Sequence, residues 1–253
     1  MTRLRFASRY AWRHLLLSLL VGMLAAALVF GGWYPMPYRA MLGVSAIFLL
    51  LLVVDVMCGP VMTAILASPR KSRRERWLDF GIVAAIQLAA LTYGLHSVWV
   101  ARPAVLAFER DRLVVVTANE VDVDSLHQAP QGSDRLPWAG VLRVGTRDAV
   151  SNEEFIQSVN LGLAGVSPAM RPGWWQPWSD SVQAAMRERA KPLAELLARR
   201  PEQSEVLRTA AQDSGVEVAQ LRYLPLTSSK TKDWVALLDV DMRMVGYAPV
   251  DGF

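Results

Sequence analysis

The chain is short of the residues from which most catalytic and metal centres are built. It has one cysteine, Cys58, and three histidines, His14, His96 and His127, in 253 residues. A single thiol forms no intrachain disulfide and no cysteine-based metal site. Cys58 also sits inside an apolar run, where a thiol is a poor nucleophile. The histidines are dispersed over a terminus, a membrane edge and a loop. No HExxH, GxSxG, P-loop or dinucleotide fingerprint occurs. The pairs Asp122/Asp124 and Asp239/Asp241 fall near a loop and at a hairpin, and read as solvated turn acids. The sequence points away from an enzyme and implies no cofactor and no metal.

Acid is scarce in the first 101 residues, where Asp55, Glu75 and Asp79 stand against ten basic residues; residues 102–253 hold 17 Lys and Arg against 20 Asp and Glu. The formal net charge of +4 is therefore local. Nine of the ten basic residues cluster in Arg3 to Arg13 and Arg70 to Arg76. Basic clusters beside apolar helices set membrane topology, so nucleic acid is not read as a partner.

Three apolar segments dominate the N-terminal part, at about 15–33, 41–66 and 78–100. Each reaches the roughly 20 residues a helix needs to cross a bilayer, and a lipid-exposed segment must satisfy its own backbone as a helix. Arg3, Arg5, Arg9 and Arg13 precede the first span; Arg70, Lys71, Arg73, Arg74 and Arg76 separate the second and third. The loop between spans one and two carries only Arg39. The positive-inside rule then places the N-terminus in the cytoplasm and, after three spans, the C-terminal part in the periplasm of a bacterial inner membrane. Trp33, Tyr34, Tyr38 and Trp99 suit an interfacial aromatic belt. The first run exceeds the 7–15 residues of a signal-peptide core, so it reads as a retained helix.

The organisation predicted is a transmembrane region over 1–102 and an α+β domain over 103–253, its strands antiparallel. Val105–Phe108 and Leu113–Val116 form a hairpin, and Gly140–Val144 a short strand. Ser151-Asn152-Glu153-Glu154 is a capping box. A proline- and tryptophan-rich loop runs from Pro168 to Trp178. Helices follow over Asp180–Ala190, over Pro192–Arg199 and from Pro201 to just before Gly215. Strands are expected at Glu217–Leu224, Trp234–Val240 and Met242–Tyr247.

Asp55 is the most informative single residue. A carboxylate near mid-membrane costs roughly 2.5–3.5 kcal/mol on insertion scales, so it faces a partner or water. Asp55 and Gln87 lie at similar depths, about 15 Å in at 1.5 Å per residue, and a hydrogen bond between them is one reading. A contact to another protein's membrane helix is a second; an ion pathway is a third, weakened by a lone carboxylate. Gly59 and Pro60 follow, a close-approach site and a kink. Gly22 and Ala26 in span one, and Gly81, Ala85 and Ala89 in span three, form small-residue faces for helix contact, within the bundle or with another protein. Trp174, Trp175 and Trp178 either pin their loop to the domain or touch a partner.

The outer Trp33-Tyr34-Pro35, the run Asp55-Val56-Met57-Cys58-Gly59-Pro60 with Thr63 and then Pro69-Arg70-Lys71, and Gln87 to Gly94 leading to Ala101-Arg102-Pro103 resemble the TfpX/TfpZ type IV pilin accessory proteins. So do Trp175-Gln176-Pro177-Trp178, Lys191-Pro192-Leu193 and the C-terminal hairpin ending in Gly246-Tyr247. The resemblance implies a non-enzymatic inner-membrane protein that binds or chaperones the major type IV pilin and supports pilus assembly or surface display. It carries over no catalytic or binding residue. The competing expectation is a membrane-anchored, receptor-like protein whose periplasmic domain binds a ligand. Oligomeric state is not read from the sequence.

Overall fold

The computed structural model describes residues 3–253, with side chains from Arg5 onward. The side chain of Arg3, counted above among the basic residues, lies outside the described ones. The chain divides into two units, one of Met1–Pro35 with Gly43–Ala101, the other of Met36–Leu42 with Arg102–Phe253.

The first unit is three long helices: α1 (Arg3–Leu28), which continues as a π-helical turn to Trp33, α3 (Val44–Leu66) and α4 (Arg73–Val100). All three are long and apolar enough to cross a membrane. Helix α3 starts at Gly43 with φ +66°, a left-handed conformation suited to glycine, so the second span begins slightly later than the apolar run. Helix α4 starts under a complete capping box, with Glu75 N–H donating to Ser72 Oγ at 3.3 Å and Ser72 N–H to Glu75 Oε2 at 2.7 Å. Close approaches are made at glycines. A Cβ on Gly22 would overlap Leu52, and one on Gly94 would overlap Leu51, so α3 seats a leucine against each neighbouring helix. Near one end, His14 Nδ1 and Thr63 Oγ1 share a hydrogen bond of 2.5 Å. Near the other, the buried Tyr34 hydroxyl donates to the Val98 carbonyl at 2.9 Å.

The second unit is a mixed sheet covered on both faces. Strands β1 (Pro103–Glu109) and β2 (Arg112–Thr117) form its central hairpin, and nearly every residue of both is buried. Their continuous apolar runs are those of strands covered on both sides. The order is β4-β3-β1-β2-β6-β7-β8, with β3 (Leu142–Thr146), β4 (Trp175–Pro177), β6 (Arg222–Ser228), β7 (Trp234–Leu238) and β8 (Met244–Ala248); β5 (Lys191–Pro192) also pairs with β6. Neighbours are antiparallel except β1/β3 and β2/β6, which are parallel. On one side Val105, Ala107, Val114, Val116 and Val144 pack with Trp175. Helices α7 (Leu193–Arg199) and α8 (Ser204–Ser214) bury Leu193, Leu196, Leu207 and Ala211 against Tyr223, Val235, Leu237 and Ala248. Helix α6 (Asp180–Arg189) buries Val182 and Met186, and a Cβ on Gly145 would come 2.6 Å from Val182. Gly215, at φ +70°, ends α8.

Three elements depart from the sequence reading. The strand expected at Glu217–Leu224 begins at Arg222, because turn hydrogen bonds Gln220 N–H to Glu217 O and Leu221 N–H to Val218 O occupy its first half. Pro192 lies in β5 before its helix, not in the first helical turn. Tyr38 is buried in the second unit, where its one-turn helix α2 (Tyr38–Met41) lies, and does not join the interfacial belt. Burial pushes its phenol up to about 12 despite the opposing charge of Arg143. Lys230 Nζ donates to the Leu42 carbonyl at 3.3 Å, tying the same loop down.

Candidate partner-binding surfaces

In the helical unit the structure brings Asp55, Gly59 and Gln87 to one place. Gln87 Nε2 donates to the Asp55 backbone carbonyl at 2.8 Å and to its Oδ1 at 3.3 Å. The amide lies over Gly59, where a Cβ would collide with it. Pro60, inside α3, removes one backbone donor from the same turn. Gln87 thus docks on the α3 backbone, and the carboxylate is the longer of its two acceptors. Gln87 Oε1 is buried with no hydrogen-bond partner among the described residues. On α4, Gly81, Ala85 and Ala89 are exposed within the unit, so that small-residue face is turned away from α3.

The tryptophan loop is fixed largely from inside the second unit. Trp175 is buried, with Nε1 donating to the Ala169 carbonyl at 2.8 Å. Trp174 is buried, and two guanidiniums lie over its ring, Arg147 at 4.8 Å and Arg171 at 4.3 Å from the centroid, both in cation–π range. Trp178 is half-buried. Both arginines also hold helix α5 (Asn152–Leu163). Arg147 forms a two-pronged pair with Glu154 at 2.7 and 3.0 Å, and Arg171 donates to Ser158 Oγ at 2.7 Å. The pairing pulls the Glu154 carboxyl down to about 2, with the Val150 amide adding to the effect.

That arrangement alters the expected capping box. Ser151 Oγ does accept from the Glu154 amide at 3.1 Å, but the Glu154 carboxylate is taken by Arg147 and the Val150 N–H. Asp239 also differs from a solvated acid. It is buried, and its carboxylate accepts from the Asp241 and Arg243 amides, both at 2.9 Å, and from Arg243 Nε at 2.8 Å. Burial works to raise this carboxyl, and the bonds to Arg243 and Asp241 outweigh it, leaving it below its ordinary range.

The outer side of α5 is a feature the sequence reading passes over. Phe155, Ile156, Val159 and Leu163 are all exposed. Their helical spacing is visible in sequence, but periodicity by itself assigns such a stripe to a core. Beside it an open cleft of about 920 Å3 is lined by Arg110, Arg112, Arg147, Asp148, Phe155 and Glu188, among others. Among the described residues no group of three His, Cys, Asp or Glu side chains is placed to hold a metal ion.

Comparison with known proteins adds three findings. A profile described as fimbrial assembly protein FimB matches residues 2–43. The chain is 34% identical to the fimbrial assembly protein of serogroup I of Dichelobacter nodosus, over 99% of this chain and 98% of that one. Identity to the serogroup E1 protein of the same organism is 32% over the same shares, and to that of serogroups C1 and C2 it is 39% over 50% of this chain and 97% of the relative. No solved structure matches the chain.

Proposed function

The chain belongs to the fimbrial assembly protein family, and from that premise we propose that it is a non-enzymatic inner-membrane protein of the TfpX/TfpZ kind that binds the major type IV pilin and supports its assembly or display. The observation that carries the reading is the end-to-end match to fimbrial assembly proteins in a chain with three membrane-length helices. The N-terminus is cytoplasmic and the domain periplasmic, on the strength of the basic residues flanking α1 and α4. The loop Met36–Leu42 belongs to the same unit as the C-terminal domain, as an odd number of spans requires of the loop after the first. Within the bundle, the α4 face of Gly81, Ala85 and Ala89 is the site offered to a subunit's membrane helix. Asp55, Gly59, Pro60 and Gln87 shape the bundle behind it. In the domain, Trp174, Trp175 and Trp178 act by positioning the loop and α5.

The experiment is deletion of the gene followed by complementation. Surface fimbriae fall in the deletion strain and return with the full chain, and a distantly related pilin is rescued less well than the cognate one. Unchanged fimbriation after deletion removes the assignment. The cleft beside α5 favours a second reading, a receptor-like protein with a periplasmic ligand site. Its lining charges are of both signs, however, and select no ligand class.

A further inference from the structure

Helix α5 has one side fixed and one side bare. Inward, Glu154 and Ser158 are held by Arg147 and Arg171, so the orientation of the helix is set by charge-assisted bonds. Outward, Leu163 is 84% exposed, Ile156 59%, Phe155 50% and Val159 43%, with Val150 just upstream at 82%. Ile156, Val159 and Leu163 stand at i, i+3 and i+7, and Phe155 lies beside them. The stripe runs about 12 Å along the axis at 1.5 Å per residue. A contiguous apolar surface of this kind on a folded domain marks an interaction site.

We infer that this stripe docks the apolar side of a helix in the fimbrial subunit, with Lys or Arg of that helix beside Glu153; the inference rests on the proposed function. The i, i+3, i+7 seam is the geometry of helix against helix. Glu153 is exposed, its carboxylate has no ion pair among the described residues, and it lies beside Ile156, Gln157 and Asn160, so this margin of the stripe is complementary to a basic partner. A lipid surface fits poorly. Helices that lie on bilayers carry Lys or Arg on the polar side, and α5 has none between Asn152 and Leu163. A second copy fits poorly too. Parallel pairing sets Glu153 against Glu153, and antiparallel pairing sets it beside the carbonyl end of the other helix, which is the negative end of the dipole.

The test uses the full chain in cells, with a photocrosslinking residue at Ile156 or Leu163 and a control at the exposed Gln212. The subunit is captured from the first two positions and not from the third. Val159→Asp lowers the yield at least tenfold and reduces surface fimbriae in step, while chain abundance holds. Glu153→Lys, on the polar margin, lowers the yield several-fold and serves even if Val159→Asp fails to accumulate. Wild-type crosslinking and fimbriation in both variants, in a background where deletion abolishes fimbriae, overturns the docking site and leaves the proposed function standing. Adducts to lipid alone, or to a second copy alone, overturn it equally.

Discussion

Gln87 reaches the α3 backbone because residue 59 has no side chain. Gly59→Ala puts a methyl group where the amide lies, and overpacking of this kind costs about 1–3 kcal/mol. The expected outcome is a lower melting temperature of the detergent-solubilised chain and lower abundance in cells. Asp55→Asn keeps both acceptors, since the shorter bond goes to the main chain, and leaves abundance near wild type. Asp55→Asn that abolishes fimbriation at normal abundance shows instead that the charge is used. Glu154 is read out by pH. Its carboxyl lies below its ordinary value of 4.5, at about 2, so its ionised form is favoured by folding. That contribution is fully present above about 4.5 and is lost as pH falls toward about 2. The protection factors of the α5 amides, taken against their intrinsic exchange rates at each pH, fall across that window, and Glu154→Gln removes the step.

At the level of elements, the Arg147–Trp174–Arg171 cluster decides where α5 lies. Trp174→Ala removes the ring that both guanidiniums lie over, and a buried tryptophan truncated to alanine costs about 3–5 kcal/mol. The loss is local: limited proteolysis cuts first around α5 and the loop before Trp178, while the β6–β8 meander stays intact. A uniform loss of protection over the whole sheet argues against this division of labour. The same elements show what sequence alone conveys. The spans, the central hairpin and the C-terminal strands are legible because their apolar runs and turn residues are local. Glu154 is not, because its partner Arg147 competes with the cap through space. Nor is the start of β6, which is set by pairing with β2 and β7 and not by its own apolar run. The bare side of α5 is illegible for a related reason: helical spacing says that residues share a face, not whether anything covers it.

For the whole molecule the first question is which side the domain faces. A reporter active only in the periplasm is expected to work when fused after Phe253 and to be silent when inserted near Ser72, where Arg70 and Lys71 between α3 and α4 and Arg73, Arg74 and Arg76 in the first turn of α4 form a basic cluster. The reverse pattern removes the orientation and with it any contact between the domain and a periplasmic subunit head. A different consequence follows from the buried loop between the first two spans. Tyr38, Met41 and Leu42 are buried in the domain's own unit, and Lys230 reaches Leu42 across 188 positions of sequence. The domain therefore has no single cutting point. A fragment beginning at Arg102 lacks its first segment and bares the surface that those three side chains cover, so failure of such a fragment to complement says nothing about the bundle. A faithful excision carries Met36–Leu42 with it, spliced ahead of Arg102 by a flexible linker, and that version is the one to crystallise, to titrate and to set beside the intact protein.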